Sequence, residues 1–238
     1  MLRLITDFDG PIMDVSERYY RVYQYCLEQA QQAGKNLTGL SKEEFWQLKR
    51  DCVPERRIGQ LSGLDEEQAQ VFSSLRRQTV HTLPYLVYDR PLPGAIEVLE
   101  NIQALGWDLV VMTMRRVSEL DLALQQYELG HFFAPDHRYC LSDDYIKTKD
   151  IEDKPLLMAR ALQELPEVGE TWMVGDTEAD IIAAKTGGLK IIAVLSGIRN
   201  RSQLERYEPD FIVNNLAEAV DLITSETLTG VSVAPTIG

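Results

Sequence analysis

Five short apolar runs punctuate the chain: Leu2 to Thr6, Trp107 to Met112, Arg138 to Leu141, Thr171 to Val174 and Leu189 to Leu195. Each is long enough for a buried strand and too short for a helix. Helical periodicity fills most of the intervals between them. Ala95 to Leu105 sets Ile96, Leu99, Ile102 and Leu105 on one face ahead of Gly106, a helix stop. Ser118 to Leu129 does the same with Leu120, Ala123, Leu124 and Tyr127 ahead of Gly130. Leu156 to Leu165 and Thr177 to Thr186 complete the set, the latter closed by Gly187-Gly188. Strands alternating with helices of this length predict an α/β fold, a parallel sheet with helices on both faces.

One interval breaks the alternation. Residues 15–90 separate the first strand from the second, far too many for a structureless loop in a compact domain. Ser16 opens a segment with Tyr19, Val22, Tyr23, Cys26, Leu27 and Ala30 on one face, before Gly34. Ser41 and Glu44 have the spacing of a capping box ahead of Phe45 and Leu48, and Asp65 and Gln68 repeat it ahead of Ala69, Phe72 and Leu75. The interval reads as an all-helical insertion with its own apolar faces. The expected organisation is a core from residues 1–14 and 91–224, a helical unit over 15–90, and a flexible tail over 225–238.

Composition narrows the functional classes. The 238 residues are 45% hydrophobic and 26% charged, as in an ordinary globular protein, and carry a formal net charge of −13. That balance argues against a general nucleic-acid binder or an anionic-membrane binder. Cys26, Cys52 and Cys140 are odd in number and far apart, so neither a disulfide framework nor a zinc pattern follows from them. The start of the chain has no signal-peptide pattern, and no apolar run is long enough to span a membrane. The expectation is a soluble, cytoplasmic protein with reduced thiols.

Candidate chemistry appears once the strand ends are inspected, because ligands of open parallel sheets bind outside the carboxyl ends of the strands. Asp7-Phe8-Asp9-Gly10 follows the first run, and Thr113-Met114-Arg115-Arg116 follows the second. Asp153-Lys154-Pro155 comes after the third, at a helix start, and Gly175-Asp176-Thr177-Glu178-Ala179-Asp180 after the fourth. Asp176 and Asp180, four apart, share one face of a first helical turn. Four aspartates near one point repel unless a cation sits among them. None of the three histidines falls in these segments, and oxygen-only ligation favours a hard cation, magnesium by default. A metal, a lysine and backbone amides together make a place for a phosphate.

In this order the four segments resemble the haloacid dehalogenase superfamily of phosphohydrolases. Its DxD motif is matched by Asp7 and Asp9, its Ser/Thr at a strand end by Thr113, its Lys before a helix by Lys154, and its GDxxxD by Asp176 and Asp180. The insertion after the first motif resembles the helical cap of the phosphoglycolate-phosphatase-like branch. The resemblance covers roughly residues 2–224 and implies a Rossmann-like core. It implies Asp7 as the nucleophile forming a phospho-aspartate and Asp9 as the acid/base, starting protonated beside an ionised neighbour. It also implies Mg2+ held by Asp7, the Asp9 carbonyl and Asp176 with support from Asp180, and phosphoryl oxygens held by Thr113 and Lys154, with Met114 beside them. Pro11 stands where the branch carries Thr or Val, which predicts a different turn geometry.

Taken singly, each motif has an ordinary reading: DxD as two solvated acids, Thr113 as a strand-end hydroxyl, Lys154 as a solvated helix-start lysine, Asp176 as a helix cap. Asp14 reads equally as a structural acid near the start of the insertion, and Arg115 and Arg116 as surface residues or phosphate contacts. Lys49, Arg50, Arg56 and Arg57 form the basic stretch of the insertion, a solvated helix end and loop or, with Arg56 and Arg57 as substrate-binding residues, a contact for a second anionic group. Tyr19 and Tyr23 fall on the apolar face and read as core. The expected partner is a small phosphorylated metabolite, with no nucleic acid or membrane, for a monomer or homodimer. A sugar phosphomutase of the same superfamily and a non-catalytic phosphate-binding regulator are the alternatives. A phospho-aspartate receiver has no use for GDxxxD or the insertion, and Asp9 speaks against dehalogenation.

Overall fold

The computed structural model describes residues 1–31 and 38–230. Strand β1 (Leu2–Thr6) leads through a turn into the short β2 (Met13–Asp14). Five helices follow: α1 (Ser16–Ala30), α2 (Lys42–Arg50), α3 (Glu55–Leu61), α4 (Glu66–Thr79) and α5 (Leu83–Leu86). The chain returns along β3 (Arg90–Pro91), antiparallel to β2, so this two-stranded ribbon brings the two ends of the helical insertion together. Then come α6 (Ala95–Ala104), β4 (Asp108–Arg116), α7 (Val117–Gln126), β5 (Arg138–Leu141), α8 (Asp150–Glu164), β6 (Glu170–Gly175) and α9 (Glu178–Thr186). The chain closes with β7 (Lys190–Val194), α10 (Arg201–Glu205), β8 (Phe211–Val213) and α11 (Leu216–Gly230).

Six strands form one parallel sheet in the order β5-β4-β1-β6-β7-β8. Its pleat sorts side chains by alternation. Leu4, Val111, Trp172 and Val174 pack on one face with Leu99, Ile102, Leu124, Val220 and Ile223. Ile5, Val110, Met112 and Met173 pack on the other with Leu157, Met158, Ala161, Ile181 and Ala184. Both faces are therefore covered, which explains why the strands read as continuous apolar runs. A third apolar cluster lies within the insertion, around Val22, Tyr23, Phe45, Ile58, Ala69 and Phe72. Both capping boxes form, at Ser41/Glu44 and Asp65/Gln68. Gly34, the stop expected for the first of these helices, lies outside the described residues. Among the described residues no helix is long and apolar enough to cross a membrane.

Several boundaries differ from the sequence reading, each for a physical reason. Strand β4 runs four residues past Met112 because Arg115, polar in sequence, is only 2% exposed and is neutralised by Asp9 and the buried Asp89. Helix α8 starts at Asp150, not Leu156, since its first turns are polar and Pro155 looks like a stop. Proline there lacks one intrahelical donor, which a second-turn position tolerates at a cost. Lys154 is thus inside the helix and buried rather than a solvated residue before it. Glu128, at φ 54°, ends the segment that was expected to reach Leu129. The loose tail expected from Ser225 does not begin there, because α11 continues to Gly230 with Leu216, Val220 and Ile223 anchored in the core. Residues 231–238 lie outside the described part.

Trp172 is fully buried in β6, its ring 6.1 Å from that of Phe211 and 4.4 Å from the Lys190 ammonium. Trp172→Ala is expected to cost about 3–5 kcal/mol by leaving a cavity between β6 and β8, read as a fall in the urea midpoint.

Candidate active site

The register of the sheet decides where the functional residues meet. Thr6 of β1 lies opposite Val111 of β4 on one side and Val174 of β6 on the other. Residues just beyond those positions, Asp7, Thr113 and Asp176, therefore emerge at one edge. The chain then turns sharply after Asp7: Phe8 O accepts from Ile12 N at 3.2 Å and Met13 N at 2.9 Å, and Gly10 N donates to Met13 O at 2.9 Å. Gly10 has φ +94°, and a Cβ there would overlap the Asp176 carboxylate, so only glycine suits the position. Pro11 sits inside this turn, where Ile12 and Met13 supply the donors. The turn closes without the N–H that proline lacks.

Asp7, Asp176 and Asp180 each place a carboxylate oxygen within 4.8 Å of the others, and all three residues are buried. Lys154 Nζ lies 2.8 Å from Asp7 Oδ2 and 2.5 Å from Asp180 Oδ1. Asp180 is oriented from α9: its Oδ2 accepts from Thr177 Oγ1 at 2.6 Å, Thr177 N at 2.9 Å and Asp176 N at 3.2 Å. Asp176 Oδ2 accepts from Ile198 N at 2.6 Å. Burial, opposed by Lys154 and reinforced by Asp180 and Asp176, pushes the Asp7 carboxyl well above its ordinary range. Burial and the neighbouring Asp180 raise Asp176 to about 7. Lys154, although desolvated, is held protonated by Asp180 and Asp7.

Fully ionised, the three acids would set three negative charges against one ammonium. Such an excess in a buried place is relieved by protons or by a cation. The donor set fits a hard divalent cation: oxygen ligands alone, converging, buried, and with Asp180 Oδ1 accepting no aligned hydrogen bond.

Asp9 stands apart from this three-acid cluster and pairs with guanidiniums instead. Arg115 reaches its Oδ1 through Nε at 2.9 Å and Nη2 at 2.7 Å, and Arg18 Nη2 reaches its Oδ2 at 3.0 Å. The same two guanidiniums share Asp89, Arg18 Nε lying 3.0 Å from Asp89 Oδ1 and Arg115 Nη2 pairing with Asp89 Oδ2. Burial alone would raise the Asp9 carboxyl, but Arg115 and Arg18 outweigh it and hold it at about 2. The neighbour expected beside Asp9, an ionised carboxylate, is not its partner here; both of its oxygens pair with guanidiniums. Its immediate neighbours are cations. Asp14, for its part, accepts from Ser16 N at 2.8 Å and fixes the first turn of α1.

A cavity of about 200 Å3 joins these groups; Asp7, Asp9, Thr113, Met114, Lys154 and Asp176 all line it. Thr113 is 2% exposed, and its Oγ1 accepts from Arg115 N at 3.2 Å. Arg56 and Arg57 are not brought to the cavity. Arg56 pairs with Glu66 at 2.8 Å on the surface, with 53% of its side chain exposed, and Arg57 contacts Gln60. Both project from α3 toward solvent, whereas Lys49, on the last turn of α2, does line the site. The sequence reading missed Arg18 and Asp89 altogether. Arg18 had a signal, a charged residue four before Val22 on an apolar stripe; Asp89 had none.

The comparisons with known proteins agree with this geometry. The haloacid dehalogenase-like hydrolase model matches residues 3–188. A protein named pyrophosphatase PpaX from Halalkalibacterium halodurans is 22% identical over 73% of this chain and 78% of its own length. A phosphoglycolate phosphatase from Vibrio vulnificus is 26% identical over 67% of each chain. Among solved structures, a haloacid dehalogenase-like family hydrolase from Streptococcus pneumoniae superposes with a TM-score of 0.67 at 20% identity, covering 93% of this chain and 97% of that one. A Thermotoga maritima protein named for β-phosphoglucomutase superposes with a TM-score of 0.60 at 20% identity, covering 94% and 99%. With its family model spanning most of the sequence and all four strand-end segments at one edge of the sheet, the chain belongs to the haloacid dehalogenase-like hydrolase family.

Proposed function

We propose that this chain is a magnesium-dependent phosphomonoester hydrolase that acts on a small phosphorylated metabolite through a phospho-aspartate on Asp7. The observation that carries the reading is the pairing of Asp7 with Lys154 at 2.8 Å, inside a buried cluster of acids at the joined ends of β1 and β6. Phosphatase relatives support the reaction class. The cavity of about 200 Å3 suits a small phosphate ester.

In this reading an Asp7 carboxylate oxygen attacks phosphorus; the new P–O bond to Asp7 forms as the bond to the leaving oxygen breaks. Lys154 and Thr113 hold phosphoryl oxygens, and Lys154 offsets the charge of the acids. Asp9 serves as the acid/base: it must first take up a proton against the pull of Arg115 and Arg18, gives it to the leaving oxygen, and then takes one from the water that attacks the acyl-phosphate and frees inorganic phosphate and Asp7. Asp7, the Asp9 carbonyl and Asp176, with Asp180 in support, would hold a magnesium ion, which would supply positive charge to offset the phosphoryl oxygens. Residues 15–90 act as a cap hinged at the β2–β3 ribbon and exclude bulk water from the site. The site then works in the cytoplasm, where magnesium and phosphate esters are abundant.

Asp7→Asn is expected to lower phosphate release from small esters by roughly a thousandfold or more, and chelation of magnesium to abolish it; an active variant would remove the covalent mechanism. Asp9→Asn should cost roughly 10²- to 10⁴-fold with alkyl phosphates and less with p-nitrophenyl phosphate, whose leaving group needs no proton. Magnesium should raise the melting temperature more at pH 7.5 than at pH 5.5. The sign follows from Asp176, whose pKa rises from 3.8 to about 7 on folding, so the metal-free native state binds the extra proton between those values. Its stability therefore falls as pH rises through that window, and the cation restores what was lost once the proton has left. An equal stabilisation at both pH values would contradict it.

A further inference from the structure

The cations that line the cavity differ in how their charge is met. Lys147 pairs with Asp150 at 2.8 Å, and Arg199 with Glu178 at 2.7 Å. Arg115 and Arg18 share Asp9 and Asp89, two against two. Lys154 stands among an excess of acids. Lys49 is the exception among the described residues. Its ammonium pairs with Glu55, but the other oxygen of that carboxylate lies 2.9 Å from Nε of Arg76. One carboxylate thus serves two cations, and the group keeps a net positive charge.

That charge is well shielded from water. Arg76 is 2% exposed and lies between the rings of Tyr19 and Phe45, 5.4 Å from each centroid, while its Nη1 donates to Tyr19 O at 2.9 Å. Lys49 has 14% of its side chain exposed, sits 5.7 Å from the Tyr19 ring centroid, and faces the cavity that Tyr19 and Asp9 also line. Arg76 therefore cannot turn to another partner. Lys49, with ammonium donors left over after Glu55, lines the cavity. Desolvation, partly offset by Glu55, pulls the Lys49 pKa down from its ordinary value, as expected where a counter-charge is lacking.

We propose that Lys49 is the specificity residue of this site and receives a second anionic group, carboxylate or phosphate, carried by the leaving portion of the substrate. The assignment rests on the phosphatase reading and deepens it. The acids around Asp7 carry excess negative charge and take the phosphoryl group with its metal, while the Lys49–Glu55–Arg76 group carries excess positive charge and takes the other end. Lys49 and Asp7 line one cavity of about 200 Å3, which suits a small molecule that reaches both. A partly desolvated ammonium that shares its one carboxylate with Arg76 discriminates strongly, since an ester with a neutral tail leaves its remaining donors unmet.

The test compares kcat/KM of wild type, Lys49→Met and Lys49→Arg, with magnesium, on 2-phosphoglycolate, pyrophosphate, ethyl phosphate and p-nitrophenyl phosphate. Wild type is expected to prefer at least one anionic-tailed substrate over ethyl phosphate by about tenfold or more. In Lys49→Met that ratio should fall roughly 10- to 150-fold, and Lys49→Arg should recover much of it. The substrate with the larger loss tells carboxylate from phosphate. A ratio that is flat in wild type, or unchanged by Lys49→Met, overturns the assignment; the wild-type ratio decides the matter if the variant fails to fold. Release from none of the four by wild type would remove the phosphatase reading itself, and the role of Lys49 with it.

Discussion

Three buried carboxylates around one buried ammonium are the arrangement on which the rest of the site depends. Lys154 touches Asp7 and Asp180 but cannot balance Asp7, Asp176 and Asp180 together. The surplus would be intolerable in an apolar interior without protons, a metal or fixed donors, and the fold supplies the last of these. Thr177 and Ile198 donate to the acids, and glycines at 10, 175 and 197 leave the space in which the carboxylates of Asp176 and Asp180 sit. The same surplus of converging oxygens fits a divalent cation, on which the proposed phosphoryl binding depends.

A second network is built beside the first from opposite charge logic. Arg115 rises from β4, Arg18 from the first turn of α1, and Asp89 from the segment just before β3. These positions lie on the core and on both crossings into the helical insertion. Asp9 is thus held by two guanidiniums from separate parts of the chain, which Asp89 holds in turn. Balanced two against two, the network is costly to break one member at a time, because each deletion strands a buried charge. It ties the geometry of the acid/base candidate to the place where the insertion joins the sheet.

Charge is then distributed unevenly across the cavity. Acids in excess lie at the strand ends, and the Lys49, Glu55 and Arg76 group, with one cation to spare, lies on the helical insertion. With a cation bound among the acids, a molecule carrying a phosphate at one end and a second anion at the other would meet positive charge at both ends. Arg56 and Arg57, nearer in sequence to the notion of a basic patch, do not take part because α3 turns them to solvent.

Periodicity and local chemistry alone determined most of the scaffold. The parallel sheet, the helices over its faces, the capping boxes at Ser41 and Asp65, and the four strand-end segments are all legible because strand and helix periods and cap spacings act over a few residues. Asp7, Thr113, Lys154 and Asp176 could be singled out for the same reason. Only the tertiary structure decided which charges pair. Asp89 is 80 residues from Asp9 and 26 from Arg115, and no local pattern marks it. Lys49 looks like any lysine at a helix end until Arg76, from α4, is seen to claim half of its carboxylate. Buried electrostatics is a sum over neighbours in space, dominated by desolvation, and a sequence holds neither the distances nor the burial that set that sum.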